Sequence, residues 1–227
     1  MTIARLESIQ VGRVQTHAPP GPGGGLVAPW RSAFVKQPVS GPCRLGSSGL
    51  EGDEHADLRA HGGADRALLA YSADHYPRWE AELGLWGMGP GGFGENFTVR
   101  GADEHSVCVG DVVAAGHVRV QVSQPRSPCS NISKRWGRPD LMVLASETRR
   151  IGWYLRVLVE GMVEAGPELR LLERPHPELT IARTYGARLE PRRDPDAVAR
   201  LAECAELSAG WRERFARLSH EPGGRPA

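Results

Sequence analysis

Glycine and proline interrupt this chain so often that only short regular segments fit between them. The 28 glycines and 18 prolines make up about a fifth of the 227 residues, whereas about 12% is usual in proteins. Hydrophobic residues still account for 40% of the chain and charged residues for 24%, so a folded core is expected rather than disorder throughout. Many short segments separated by turn-forming residues are typical of antiparallel barrels and sandwiches.

The hydrophobic pattern predicts a strand-rich region that also contains helices. Rough alternation and short apolar runs predict strands over residues 5–15, 30–39, 67–71, 96–99, 106–109, 111–115, 117–122, 153–160 and 168–174. Helical patterning predicts helices over 73–83, 130–136 and 139–150. Runs of glycine, proline and serine predict loops over 18–25, 40–49 and 87–94. We therefore expect a mainly β fold with helices (α+β), arranged as an antiparallel barrel or sandwich.

The breaker-rich segment 174–177, with the sequence RPHP, predicts a domain boundary. The first domain would cover residues 1–175, with a core over about 26–173, and the second would cover 176–227. The strand pattern stops at this boundary, which is why we place it there.

The second domain shows helical patterning throughout, over residues 178–188, 195–207 and 209–219. In the last of these segments Trp211, Phe215 and Leu218 share one apolar face, and such a face is most often core. A helical piece of about 45 residues rarely buries enough surface to fold alone. We therefore expect it to dock on the first domain or on a partner.

Charge and hydropathy exclude several classes of protein. The net charge of +1, from 28 Lys and Arg against 27 Asp and Glu, argues against binding nucleic acid by bulk phosphate neutralisation. No apolar run approaches the roughly 18 residues of a membrane span, and the N-terminus alternates instead of forming a signal-peptide core. We expect a cytoplasmic protein that binds neither nucleic acid nor membrane. The cysteines lack CxxC spacing and are expected to be free thiols: Cys43, Cys108, Cys129 and Cys204.

The stretch VQVSQPRSPCSN, residues 120–131, contains the strongest candidate for chemistry. If a helix begins near Ser130, Cys129 lies at its N-terminus, where backbone N–H groups and the helix dipole stabilise a thiolate. Arg126, three residues earlier, adds positive charge. This pattern indicates a nucleophile or a ligand for a soft metal. The alternative is a small buried hydrophobic residue with no chemical role.

Two further stretches could contribute polar groups to a site. His61-Gly62-Gly63, followed by Asp65 and Arg66, suits an anion site built from backbone N–H groups, or a simple turn capped by histidine. The acidic run 51–54 near it misses the EF-hand spacing and is expected to be a solvated turn.

The stretch GGFGENFTV, residues 91–99, could present Glu95 and Asn96 at the mouth of a loop, or form a glycine-rich turn that carries a carboxylate. The aromatic pair Trp153 and Tyr154 lies on a predicted strand and is expected to be core.

Read as an ordered set, LEGDEHADLRAHGGADRALLAY, FGEN, VGD and VQVSQPRSPC closely resemble the MOSC domain family, named after molybdenum cofactor sulfurase C-terminal domains. The stand-alone, YiiM-like bacterial branch, associated with resistance to hydroxylaminopurine, fits best. The resemblance continues through WRSAFVK, IGWYLRVLVEG and ERPHPELTIAR, and the tail resembles that branch's C-terminal three-helix domain. It covers roughly residues 5–219.

The resemblance implies a β-barrel core that binds a molybdenum cofactor, as molybdopterin or its nucleotide form, in a cleft. Cys129 would be the molybdenum ligand, because a thiolate is a soft ligand. His61 would be the catalytic acid, with Glu95 as the second candidate. The residues assigned to cofactor binding are Lys36, His61, Gly62, Gly63, Arg66, Asn96, Gln124, Arg126 and Cys129.

The activity implied for the family is reduction of N-hydroxylated bases and related compounds, from N–OH to N–H, by oxo transfer. Four unclustered cysteines cannot supply a typical Fe–S site, so a separate protein would donate the electrons. The chain itself is expected to be a monomer or a homodimer. Two other hypotheses remain open. Cys129 could carry a persulfide in a sulfur-transfer module, or the chain could be a non-catalytic domain that binds a cofactor or partner.

Overall fold

The structure is a computed structural model that describes residues 1–18, 29–57 and 62–220. Residues 19–25 of the predicted loop 18–25 and the predicted acid His61 lie outside the described residues. The strands are β1 (Thr2–Val11), β2 (Gln15–His17), β3 (Trp30–Ser32), β4 (Gln37–Pro38), β5 (Cys43–Gly46), β6 (Gly49–Leu50), β7 (Leu68–Ser72), β8 (Phe97–Arg100), β9 (Val112–Ala115), β10 (Val118–Pro125), β11 (Trp153–Val159), β12 (Gly161–Val163) and β13 (Glu168–Glu173).

Six α-helices accompany these strands within the described ranges, and three of them follow the last strand. They are α1 (Tyr76–Leu83), α2 (Ser130–Trp136), α3 (Leu141–Thr148), α4 (Ile181–Leu189), α5 (Pro195–Glu203) and α6 (Ala209–His220). Short 3-10 turns cover Ala64–Arg66, Ala73–His75 and Pro191–Arg193. No helix of the described ranges is long and apolar enough to cross a membrane.

Seven strands close into a barrel, in the order β13-β9-β10-β11-β7-β8-β1. Pairing of β1 with β13 closes the ring, and the neighbours are antiparallel except for the parallel pair β7 and β8. Closure leaves these strands without a free edge. The prediction of a mainly β, α+β fold with a barrel core is confirmed.

Alternation along β10 shows why these residues form a barrel wall. Val118, Val120 and Val122 are buried, whereas Arg119 is exposed and Gln121 is partly exposed. Successive side chains of a strand point to opposite faces, so one face of β10 fills the barrel interior while the other meets solvent.

The structure corrects one loop prediction and one strand prediction. Residues 40–49, predicted as a loop, contain β5, which pairs with β12 from Gly161 to Val163. Residues 106–109, predicted as a strand, form turns around one isolated bridge between Cys108 and Thr180. In both segments the pairing partner lies far away in the sequence, and a local pattern does not report it.

The helical tail docks on the barrel, as expected. Ile181 N donates to Val107 O at 2.9 Å and Ser208 N donates to Ser123 O at 3.0 Å. Of the predicted apolar face, Trp211 and Phe215 are buried, and Leu218 is partly buried against the same core. The face is therefore part of the core within the chain.

Gly152 is a position where the fold requires glycine. Its φ is +79°, and an added Cβ would lie 2.4 Å from Ala70 O in the neighbouring strand β7. We expect Gly152→Ala to lower the free energy of unfolding by about 2–3 kcal/mol, from backbone strain and this contact. Gly116→Ala is the matched control, because Gly116 also has positive φ (+62°) but an added Cβ would have no neighbour within 4 Å.

Urea titration of both variants measures the difference. Gly116→Ala carries only the cost of the left-handed backbone, about 1 kcal/mol. Equal losses for the two variants would show that the close approach to Ala70 contributes nothing.

Candidate active site

The chain leaves the barrel at the stretch that carries Cys129. Strand β10 ends at Pro125, which has no N–H to continue the ladder, and α2 begins at Ser130 as predicted. Cys129 precedes the helix in an extended conformation, with φ −126° and ψ 163°. Its side chain is partly exposed, whereas Cys43, Cys108 and Cys204 are buried. Cys129 is thus the accessible thiol among the four.

Cys129 lies on a cleft of about 270 Å³ beside the barrel. The cleft brings together several predicted stretches that are distant in sequence: WRSAFVK, HGG, GGFGEN and SQPRSPC. The predicted site residues that line it are Lys36, Gly62, Arg66, Asn96, Arg126 and Cys129.

The cleft has an excess of positive charge. Among the described residues that line it, four are Lys or Arg and two are carboxylates: Arg31, Lys36, Arg66, Arg126, Glu54 and Asp57. A concave surface with this charge favours an anionic ligand.

Arg126 carries the sharpest signal in the cleft. The residue is 3% exposed, and its Cζ lies 5.7 Å from the centre of the Phe34 ring. Its Nη1 is buried without a hydrogen-bond partner among the described residues. Buried polar groups are normally hydrogen-bonded, and leaving a charged donor unsatisfied is costly. An unsatisfied guanidinium nitrogen on a residue that lines a cleft therefore fits a bound anion such as a phosphate group.

Lys36 is held by a buried network. Its Nζ donates to Asp53, which also accepts from Gly12 N at 2.7 Å and from Asn96 Nδ2 at 2.8 Å. Burial lowers the pKa of Lys36, and Asp53 opposes that effect. The carboxylate of Asp53 therefore holds the ammonium of Lys36 at the cleft.

The structure corrects the prediction of a solvated turn at one residue of the acidic run 51–54 and leaves the other three exposed. The Asp53 side chain is only 3% exposed, so this residue is not in a solvated turn. Asn96 is also fixed, because its Nδ2 donates to Gln10 O as well and its Oδ1 accepts from Leu69 N. Asp53 and Asn96 therefore belong to the hydrogen-bond network that positions Lys36 at the cleft.

Sequence reasoning assigned no site role to five titratable residues that line the cleft: Arg31, Glu54, His55, Asp57 and Tyr154. Two of them, His55 and Tyr154, have shifted pKa values. Burial, together with the charges of Lys36 and Arg66, lowers the pKa of His55. Burial raises the pKa of Tyr154, which favours the protonated phenol. His55 lies six residues before His61 in the same stretch, and the sequence alone did not indicate that His55 would line the cleft. Tyr154 was predicted to be core.

Glu95 does not line the cleft. Its carboxylate is fully buried and accepts hydrogen bonds from Tyr76 Oη, Gly91 N, Phe93 N and Thr98 Oγ1. These bonds hold the glycine-rich turn in place. We therefore assign to Glu95 a positioning role instead of the acid role predicted for it.

Gln124 and Gly63 also lie outside the main cleft. Gln124 lines a neighbouring cleft of about 260 Å³, which shares Arg66, Ser127 and Tyr154 with the first. Gly63, with φ +87°, precedes the 3-10 turn Ala64–Arg66 and is exposed. Of the predicted glycine pair, only Gly62 lines the cleft.

The fold and this cleft define a class of protein that is already known. The model of the MOSC domain matches residues 57–170, and the chain belongs to the MOSC domain family. Residues 179–218 match the YiiM-like, 3-alpha helix domain. The two matches fall on either side of the predicted boundary between residues 175 and 176.

Relatives support the same assignment over most of the chain. The uncharacterised protein YflK of Bacillus subtilis is 37% identical over 184 residues, which cover 81% of this chain and 83% of that protein. A protein of Gibberella moniliformis named "Reductase" is 35% identical over 89% of this chain, which spans only 35% of that longer protein. The crystal structure of YiiM from Geobacillus stearothermophilus is 35% identical and superposes with a TM-score of 0.78, covering 95% of this chain and 99% of that one.

Proposed function

We propose that this chain binds a molybdopterin-type molybdenum cofactor in the main cleft and reduces N-hydroxylated compounds to the corresponding amines. The observation that carries the proposal is the buried, unsatisfied Nη1 of Arg126 on the same cleft as the accessible thiol of Cys129. Family membership and the relative named "Reductase" support it.

The residues present fit the two ends of such a cofactor. Cys129 Sγ offers the soft, anionic ligand that molybdenum would take. Arg126, Arg66 and Lys36 offer cations for a phosphate group, and Gly62, with φ +91°, permits close approach of its backbone. Bound there, the cofactor would supply two-electron oxo-transfer chemistry.

The reaction also needs protons. Reducing R–NHOH to R–NH2 consumes two electrons and two protons and releases water. Tyr154 is our candidate proton donor, because it lines the cleft and a phenol is protonated at neutral pH. His55, whose pKa is lowered by burial, is neutral at pH 7 and can pass protons in from solvent. The electrons would come from a separate donor protein.

The test uses the full chain, purified from a host that makes molybdenum cofactor. We expect about one molybdenum per chain by metal analysis. With a reduced viologen dye as donor, 6-hydroxylaminopurine should yield the amine, with two electrons consumed per product molecule. Folded protein without molybdenum would overturn the proposal. A sulfur adduct on Cys129 after treatment with a cysteine desulfurase, in place of molybdenum, would favour the sulfur-transfer alternative.

Arg126→Met separates cofactor binding from stability. Loss of a charged hydrogen bond to the cofactor should weaken its binding by about 10- to 100-fold. The cofactor-free chain should be as stable as the wild type or more so, because the variant removes a buried charge whose Nη1 has no partner. Cofactor retained after dialysis and the urea midpoint of the cofactor-free chain measure the two effects.

Arg119→Met is the matched control, because Arg119 lies on β10, the strand that ends just before Arg126, and is exposed to solvent. It should change neither quantity. A marked loss of stability in cofactor-free Arg126→Met would instead assign the guanidinium a structural role.

A further inference from the structure

A second group of metal-ligating side chains lies where the helical tail meets the barrel. His176 belongs to the linker after β13, whereas Cys204 and Glu206 belong to the turn between α5 and α6. His176 Nε2 lies 2.8 Å from Glu206 Oε2, and Cys204 Sγ lies 3.7 Å from the same oxygen. Among the described residues, these are three potential ligand atoms within 4.8 Å of one another.

These residues are distinct from the main cleft, since none of them lines it. Glu206 also lies close to the loop before β9, since a Cβ added at Gly110 would lie 3.1 Å from Glu206 Cγ and 2.8 Å from Pro175 Cγ. The cluster therefore joins three separate parts of the chain, namely the loop before β9, the linker and the tail.

The spacing of the three atoms is near that of ligands around a small tetrahedral cation, since all lie within 4.8 Å of one another. Ligands at Zn–N and Zn–O distances of about 2.0–2.1 Å and a Zn–S distance of about 2.3 Å stand roughly 3.3–3.7 Å apart. The Cys204–Glu206 separation is already in this range. The His176–Glu206 hydrogen bond has to lengthen by about half an ångström, which two side chains near 30% exposure can accommodate.

Cys204 is a buried sulfur that lies beside the carboxylate of Glu206. A divalent cation would supply the positive charge that the buried sulfur lacks, and its binding would release the thiol proton.

We propose that His176, Cys204 and Glu206 form a zinc-type site that clips the helical tail to the barrel. His176 Nε2, Cys204 Sγ and one carboxylate oxygen of Glu206 supply three ligands, and water completes the tetrahedron. A nitrogen, a sulfur and an oxygen ligand favour Zn²⁺ over Mg²⁺ or Ca²⁺, which prefer oxygen alone. The site lies apart from the cleft and does not depend on the function proposed for the cleft.

Cobalt(II) is the probe for the test, because it replaces zinc and gives visible absorption when four-coordinate. The protein is the full chain carrying Cys129→Ser, so that the accessible thiol of the cleft cannot bind the metal. We expect about one Co²⁺ per chain by equilibrium dialysis and a thiolate-to-cobalt charge-transfer band. Adding Cys204→Ser should abolish the band, whereas adding Cys43→Ser, at another buried cysteine, should leave it intact.

A second variant, Glu206→Gln, tests the site even if Cys204→Ser fails to fold. Glu206→Gln keeps an acceptor for His176 and almost the same volume, but it removes the anionic ligand. Zn²⁺ at about a hundredfold excess over its Kd should raise the Tm of the parent protein by about 5–10 °C. It should raise the Tm of Glu206→Gln much less. A charge-transfer band that survives Cys204→Ser, or no cobalt bound, would show that the cluster is only a hydrogen-bonded His–Glu pair.

Discussion

Cys129→Ser is expected to keep the fold and lose the molybdenum. A serine hydroxyl is a hard, protonated group at neutral pH and cannot replace a thiolate as ligand to a soft metal. Because Cys129 is partly exposed on the cleft, the smaller oxygen leaves no sealed cavity. The free energy of unfolding, measured by urea titration, should stay within about 0.5 kcal/mol of wild type. Metal analysis should show almost no molybdenum. The rate of 6-hydroxylaminopurine reduction should fall at least 100-fold. Loss of a residue that only hydrogen-bonds to a metal ligand typically costs roughly 10- to 100-fold, and loss of the ligand itself should cost more.

Cys43→Ser is the control for this experiment. Cys43 is a buried thiol on β5 and does not line the cleft, so its replacement should preserve the molybdenum content per folded chain. Full molybdenum content in Cys129→Ser would remove Cys129 as the ligand. Full molybdenum content together with lost turnover would show that Cys129 is needed for the reaction but not for binding the metal.

The position of Cys129 was predictable because it depends on local sequence. Pro125 and Pro128 end one element, a helix pattern starts at Ser130, and both signals lie within ten residues of the cysteine. The structure places the cysteine immediately before α2. The barrel was predictable for a related reason, since alternation along strands such as β10 is also local.

The network beneath the cleft could not be predicted in this way. Asp53 is buried because Gly12, Lys36 and Asn96, from three distant segments, all donate to it. Its own neighbours, Glu51, Gly52 and Glu54, have the composition of a solvated turn. Only the tertiary arrangement distinguishes the residue that turns inward. The same holds for Glu95, which the local pattern predicted to lie at the mouth of a loop. Its carboxylate instead accepts hydrogen bonds from the glycine-rich turn.

Asp53→Asn is the second change with a large expected effect, this time on stability. The variant keeps the shape of the side chain but removes the charge that balances Lys36, whose side chain is only 7% exposed. Breaking one partner of a buried ion pair typically costs about 3–5 kcal/mol. The Tm should therefore fall by about 10 °C or more, measured by calorimetry on the cofactor-free chain. Asp140→Asn, which removes the acid of the exposed pair with Arg138, should leave the Tm nearly unchanged.

The double variant Asp53→Asn with Lys36→Met tests whether the unpaired ammonium causes this loss. Removing Lys36 as well eliminates the uncompensated charge, so the double variant should be more stable than Asp53→Asn alone. Its affinity for the cofactor should nevertheless stay low, because Lys36 lines the cleft. If the double variant is no more stable than Asp53→Asn, the cost lies in the hydrogen bonds from Gly12 and Asn96. If it also binds the cofactor normally, Lys36 serves the fold alone, and phosphate recognition falls to Arg126 and Arg66.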